Sequence, residues 1–510
     1  MWGFTFGHPQ MVFRPLTPQP PLARWVANIE RWVKGALFRC RMCGHCLLWE
    51  TGFICPMSCP DGLRNGPCLD SPPEKCFSDP TESCPWARIY RRAERQGNLH
   101  RLLEVIAPLD SRRVGGETIL TAYRLWHSHM QGLRLRDLIT DRARFHAAWE
   151  AFRYELRQPS WWRGDSQYHP PAYTEPASRL EEALRSQQFV VIAGVAAPPE
   201  ARPGRIAQIA DRLQKYVHAV SFLNRPPEVP CMNALACAIS SLQHGLEPVL
   251  QLQIYHRDRY AIEAEAMGAS TLSVRNILCL FDKSEQRSSG PTSPPGFNDL
   301  DPVQALWMLR RLRDEGVDAD GKPVERRPCY FLGAVVSPYA LAPRYEALVV
   351  EKKINAGAQF LQTLPVFDLS RFTTWLDALD QRNLLGKAYL IATVMPLKDA
   401  QQARFLAKEW PGLAIPGTTL ARIEDALDPY EEGIQIALDL IAGLKRIGGI
   451  HGLHLLAPHQ EEVIPRLVKE SGLSLRVDNL TAFSNNGHGS SHQDHMNDVN
   501  MMFRGASDGW

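Results

Sequence analysis

The 510-residue sequence carries almost no net charge, +2 at pH 7. No long-range field is therefore available to hold nucleic acid or an anionic membrane. It lacks any apolar run of the about 18 or more residues that a membrane span requires. Its start, Met1 to Arg14, lacks the charged-then-apolar-then-small order of a secretory signal, so a cytoplasmic protein is expected. Also missing are a Gly-x4-Gly-Lys-Ser/Thr loop, a His-Glu-x-x-His pair and a Gly-x-Ser-x-Gly turn. Cysteine is scarce over most of the chain, with four of the twelve lying outside one short segment. The remainder, 45% hydrophobic and 22% charged, is ordinary globular material.

The other eight cysteines crowd between Cys40 and Cys84. A disulfide framework belongs to small secreted domains, which a long chain without an export signal does not match. Clustered cysteines in a reducing compartment more often hold metal. The order is Cys40-x2-Cys43-x2-Cys46, then Cys55-x3-Cys59-Pro60, then Cys68, Cys76 and Cys84. Two-residue gaps let consecutive thiolates converge from a tight turn. Such repeats suit tetrahedral zinc, and three in succession followed by Cys-Pro suit an iron–sulfur cluster. Eight thiolates are many for one zinc ion, and both metals remain open.

Five stretches follow one another. Residues 1–38 form a lead-in with a short helix at 22–34, and 39–97 form the cysteine module. A helical segment and a Pro- and Trp-rich linker occupy 98–177, with helices expected at 87–106, 116–132 and 142–156. From 178 to 480 short apolar runs alternate with helical patterns. The runs fall at 189–193, 219–222, 248–253, 273–281, 330–335, 360–364, 389–394 and 452–457. Eight such runs interleaved with helices predict a (β/α)8 barrel. A doubly wound sheet is the alternative, weakened by the missing Gly-x-Gly-x-x-Gly. The polar tail, 481–510, is expected to be disordered.

The segment Cys43-Gly44-His45-Cys46, Cys55-Pro56-Met57-Ser58-Cys59-Pro60, Leu63-Arg64-Asn65-Gly66-Pro67-Cys68 and Cys84-Pro85-Trp86 resembles the cysteine-rich domain that accompanies certain methylenetetrahydrofolate reductases. The later region resembles the reductase barrel itself. Its carriers are Phe331-Leu332-Gly333-Ala334-Val335, Glu351-Lys352-Lys353 and the run from Gly357 to Thr363. Pro365-Val366-Phe367-Asp368, Pro396-Leu397-Lys398, Asp428-Pro429 and Gly452-Leu453-His454-Leu455 complete them. The resemblance implies a flavin (FAD or FMN) at the strand carboxyl ends, a folate substrate, and iron–sulfur or zinc in the module. It further implies reduction of a methylene bridge to a methyl group, with electrons from a nicotinamide nucleotide or an electron-donor protein. A homo-oligomer is compatible with it.

Carried over residue by residue, the resemblance places the family's proton-donating acid at Val195, three positions before Pro198-Pro199. It places the family's substrate-contacting glutamine at Leu364 and the second-strand threonine at Leu223. On the third strand the family's flavin-side aspartate falls at His256, or at Asp258 with a small shift. His256 is thereby the candidate catalytic residue. Arg257, Asp258, Arg275, Asn276, Asp282 and Lys283 are the candidate flavin or folate contacts. The metal candidates are Cys40, Cys43, Cys46, Cys55, Cys59, Cys68, Cys76 and Cys84. An alternative reading is a folate- or flavin-binding barrel with lost or altered catalysis, acting as partner of a methyl-transferring demethylase.

Overall fold

A computed structural model describes residues 21–69, 75–76, 78–79, 81–110, 113–115, 118–134, 136–159, 161–200, 202, 204–223, 230–255, 257–281 and 298–473. The expected disordered tail lies outside these residues. Eight parallel strands close into a barrel in chain order. They are β1 (Val190–Ala196), β2 (Ala219–Leu223), β3 (Pro248–Gln253), β4 (Asn276–Leu280), β5 (Phe331–Val336), β6 (Phe360–Pro365), β7 (Tyr389–Val394) and β8 (Gly452–Leu456). Closure is made by β1 against β8, with Val190 opposite Gly452 and Gly194 opposite Leu456. Among the described residues no helix is long and apolar enough to cross a membrane.

The strands are covered on both faces, which is why they read as nearly unbroken apolar runs. Val190, Ile192, Ala219, Val249, Leu278, Phe331, Phe360 and Ile391 form an inner cluster. Their neighbours in sequence, Val191, Ala193, Val220, Ile277 and Leu332, belong to the main core beneath the helices. The short helix Arg179–Arg185 joins the inner cluster through Leu180, Ala183 and Leu184 and plugs the amino end of the barrel. Gly333 lets the Phe360 ring cross the interior, for a Cβ there would sit 2.1 Å from that ring.

The amino-terminal region packs on the same compact unit, which runs to Leu473. Helix Pro21–Phe38 leads into the cysteine loops, and helix Pro85–Arg95 follows them. A single helix over 87–106 is not formed. Gly97, at φ 66°, ends the first helix, and a 3-10 turn, Leu99–Leu103, follows. The 158–177 stretch is a packed strap rather than a loose linker. Gln158 is wholly buried, and the buried Trp162 indole donates to Val105 O at 3.0 Å.

Candidate functional site

In this architecture ligands bind at the carboxyl ends of the strands. The inward positions there include Ala196 on β1, Leu223 on β2 and Leu364 on β6. Below them the interior turns polar. His454 on β8 is buried and shares hydrogen bonds with Ser221 Oγ (3.2 Å) and Thr393 Oγ1 (3.2 Å). The Thr393 hydroxyl donates to the Thr363 carbonyl. Thr393 Oγ1 must therefore accept from His454 Nδ1–H, leaving Nε2 to accept from the Ser221 hydroxyl. Burial pushes the His454 imidazole down to about 3, so it stays neutral. To reach Ser221 the ring passes over β1 at Gly194, where a Cβ would lie 2.4 Å from His454 Nε2. Gln362, also inward on β6 and 5% exposed, has a buried Oε1 with no partner among the described residues.

Ser221, Gln362 and His454 were not singled out from the sequence. The signal was present: each is a polar residue at the inward parity of an otherwise apolar strand.

The structure turns Val195 outward. Val195, 1% exposed, packs in the main core beneath the helices, while Gly194 and Ala196 take the inward parity. Glu200, the next acid along the chain, is paired with Arg202 at 2.6 Å on the surface. Arg257 bonds Gln253 O (3.2 Å) and Ala261 O (3.0 Å) and pairs with Glu265 (2.5 Å). Asp258 caps the helix Arg259–Thr271 by accepting from Ala261 N. Both follow the carboxyl end of β3, the expected face. Arg275 and Asn276 do not lie on that face; they stand at the amino end of β4. There Asn276 Nδ2 donates to Glu247 Oε1 and Pro248 O, both at 2.9 Å, and its Oδ1 accepts from Ser178 Oγ. These bonds tie the floor of the barrel. His256, Asp282 and Lys283 lie outside the described residues.

The cysteine loops dock on the carboxyl side through Asp301. This residue caps the helix Pro302–Asp314, which follows β4. Its Oδ1 accepts from Val303 N (3.0 Å) and Gln304 N (2.9 Å). Its Oδ2 accepts from Arg64 N (3.2 Å) and Asn65 Nδ2 (2.8 Å). Arg259 adds a clamp, bonding Asp299 (2.8 Å) and Leu109 O (3.2 Å). Cys59 and Leu63 enter the main core directly.

None of the twelve cysteines is joined in a disulfide. Cys40, Cys43, Cys46 and Cys55 line one cavity of about 20 Å³, together with Lys34 and Arg64. A hydrogen bond from the Cys55 thiol draws the Cys40 thiol down to about 6, and the same contact pushes Cys55 up. A closed centre formed by all eight expected ligands is not present. Among the described residues no three of His, Cys, Asp or Glu stand close enough to hold a single metal ion. The fold divides the ligands: Cys59 is drawn into the barrel core, and Cys76 lies beside Cys84 on a separate bridge of the loop.

Residues 20–112 match the family described as methylene-tetrahydrofolate reductase C terminal, which here precedes the barrel. No curated protein matches the chain. Among solved structures, an uncharacterized protein from Clostridium thermocellum, described as binding two copies of 5-methyl-5,6,7,8-tetrahydrofolic acid, is similar at 12% identity and a TM-score of 0.41. That match covers 57% of this chain and 97% of the other. The barrel, residues 179–472, matches the methylenetetrahydrofolate reductase family over more than half of the chain, and the chain belongs to that family.

Proposed function

We propose that the chain is a flavin-dependent folate reductase that converts 5,10-methylenetetrahydrofolate to 5-methyltetrahydrofolate, using electrons passed through a metal group in the cysteine module. The observation that carries this reading is the seating of one reductase-family region on another within a single compact unit. Their junction at Asp301 lies on the strand-carboxyl side, where a flavin would sit. A bound flavin, FAD or FMN, supplies hydride transfer. Arg257 and Asp258 stand on the face that would hold it.

In this reading the thiols at Cys40, Cys43, Cys46 and Cys55, which share one cavity, would hold the metal, iron–sulfur or zinc. Zinc–sulfur bonds of about 2.3 Å would draw four sulfurs to within roughly 4 Å of one another. These four share a cavity without gathering that tightly. Such thiols persist in a reducing cytoplasm, which is where this reading puts the protein. The primary electron source is a nicotinamide nucleotide or a carrier protein.

One observation favours a second reading. With Val195 turned outward and Ala196, Leu223 and Leu364 inward, no described inward position at the mouth donates a proton. A barrel that binds folate or flavin as partner of a methyl-transferring demethylase would look the same. An anaerobic half-reaction separates the two. Reduced flavin should be reoxidised on addition of 5,10-methylenetetrahydrofolate; flavin that stays reduced would eliminate the reductase and leave the binding partner.

A further inference from the structure

The helix Pro21–Phe38 turns one face into the chain and the other away from it. On the inner face Ala27 and Glu30 are buried, and Glu30 pairs with Lys34 and accepts from Thr118 N at 2.7 Å. The outer face is apolar and open. Leu22, Trp25, Ile29, Trp32, Val33 and Leu37 are all exposed, Trp25 at 64% and Trp32 at 77%. Positions 22, 25, 29, 32 and 36 follow the three-then-four spacing of a seam that packs against another helix. The seam itself carries no charged residue, because Arg24 and Arg31 fall on the far flank from Ile29. Phe53 extends the face past the helix end, its ring 6.3 Å from Phe38 and 6.1 Å from Trp49, with Phe53 and Trp49 both exposed. Phe53 holds φ 63°, a left-handed backbone that a bulky side chain rarely adopts. Residues strained in this way concentrate at functional surfaces. With about 150–250 Å² offered by each large aromatic side chain, the exposed parts of these eight residues amount to roughly 1,000 Å². That exceeds the largest apolar patch of a typical monomer, about 300–600 Å². It also exceeds the about 800 Å² that each partner gives to a stable interface.

We propose that this face pairs with the same face of a second copy of the chain, the two helices running antiparallel about a two-fold axis at Ile29. In that register large side chains meet smaller ones. Leu22 faces Ala36 of the partner subunit, Trp25 faces Val33 of the partner subunit, and Trp32 faces Val26 of the partner subunit. A parallel pair would instead set Trp25 on Trp25 and Trp32 on Trp32. The amino end of the second helix then falls against Phe53 and Trp49, which gives the strained loop its role. A lipid surface fits the face less well. Interfacial helices carry many basic side chains on the polar side, whereas here Lys34 is tied to Glu30 and faces the chain.

The test measures the mass of the full chain in solution by light scattering across a range of concentrations. The unaltered chain should show twice its own mass. Trp32→Glu, at an exposed position, should keep the circular dichroism of the unaltered protein and weaken the pair by about 100-fold. Leu427→Glu, at a fully exposed apolar residue outside this face, should still pair. Should Trp32→Glu lose its fold, Trp25→Gln takes its place in the same comparison. Chains bearing Trp25→Cys and Val33→Cys should join by a disulfide when mixed and oxidised, above the background of the unaltered chain, and neither should join to itself. Self-joining of either would overturn the antiparallel arrangement. An unaltered chain that stays at single mass, or a folded Trp32→Glu chain that pairs as well as the unaltered one, overturns the proposal. So does a single-mass chain that floats with anionic vesicles, or one that pairs only after residues 1–20 are removed, since either gives the face another occupant.

Discussion

Around the thiols of the cysteine module the buried side chains carry both charges, Lys34, Arg41 and Arg64 with Glu30 and Asp61. Around the barrel mouth the inward positions Leu223 and Leu364 are apolar, and Val195 packs outward in the main core. The described part of the mouth is apolar, with polar side chains one layer deeper in Gln362, Ser221 and His454. A site can keep its scaffold while the groups that act on a bound molecule change. The module and the barrel must therefore be tested separately.

The largest effect is expected from putting the family's acid back where sequence alignment places it. Val195→Glu would bury an unpaired carboxylate in the core and should destabilise the chain by about 4 kcal/mol or more in urea unfolding, with no gain in turnover. Ala196→Glu, at inward parity, should leave stability nearly unchanged. If proton delivery limits the reaction, it should raise folate-dependent turnover by about 100-fold. A stable, active Val195→Glu protein would show that β1 faces the other way.

Asp301→Ala attacks the junction between the regions. It removes a helix cap and the acceptor of Arg64 N and Asn65 Nδ2, so a loss of about 3 kcal/mol is expected. Limited proteolysis should then cut the cysteine loops before the barrel. Equal resistance of the two regions would mean that the junction is held elsewhere.

His454 gives a smaller, pH-dependent effect. Its imidazole is held at about 3 by burial, below the usual value of about 6.5. The unfolded chain therefore binds a proton that the folded chain refuses as pH drops through 6.5. Stability from this group is fully present above that pH and is lost on acidification towards 3. Between pH 7 and pH 5 the loss should be about 2 kcal/mol. His454→Gln should flatten this slope. An unchanged slope would move the pH dependence to another group.

The smallest effect is reserved for the exposed clamp between regions. Arg344 meets Glu94 at 2.7 Å, but both are largely solvated. Arg344→Ala should cost less than about 1 kcal/mol, and added salt should erase the difference.

Much of the barrel was legible because each strand is a short apolar run bounded by helix starts such as Asp258, Asp301 and Asp368, all of which cap helices. The fourth run, 273–281, was drawn four residues too long. Ser273 adopts φ 65° there, and the strand begins at Asn276. The side of the barrel that each residue faces was less legible. Strands buried on both faces carry no polar–apolar alternation, so the outward parity of Val195 became legible only when closure against β8 fixed it. Arg275 and Asn276 were placed on the ligand face by the resemblance alone, although they open the fourth run and so stand at its amino end. In the module the spacing of the cysteines was readable. Their division between a cavity wall and the barrel core depends on where Asp301 seats the loop, a contact across more than two hundred residues.

The most direct measurement follows the absorption of the anaerobically purified full chain through one reduction and one addition of 5,10-methylenetetrahydrofolate. Flavin and iron–sulfur bands should both bleach with dithionite, and both should recover with the folate as electrons leave the module through the barrel. Recovery of the flavin alone, with the module still reduced, would contradict an electron path between the two regions.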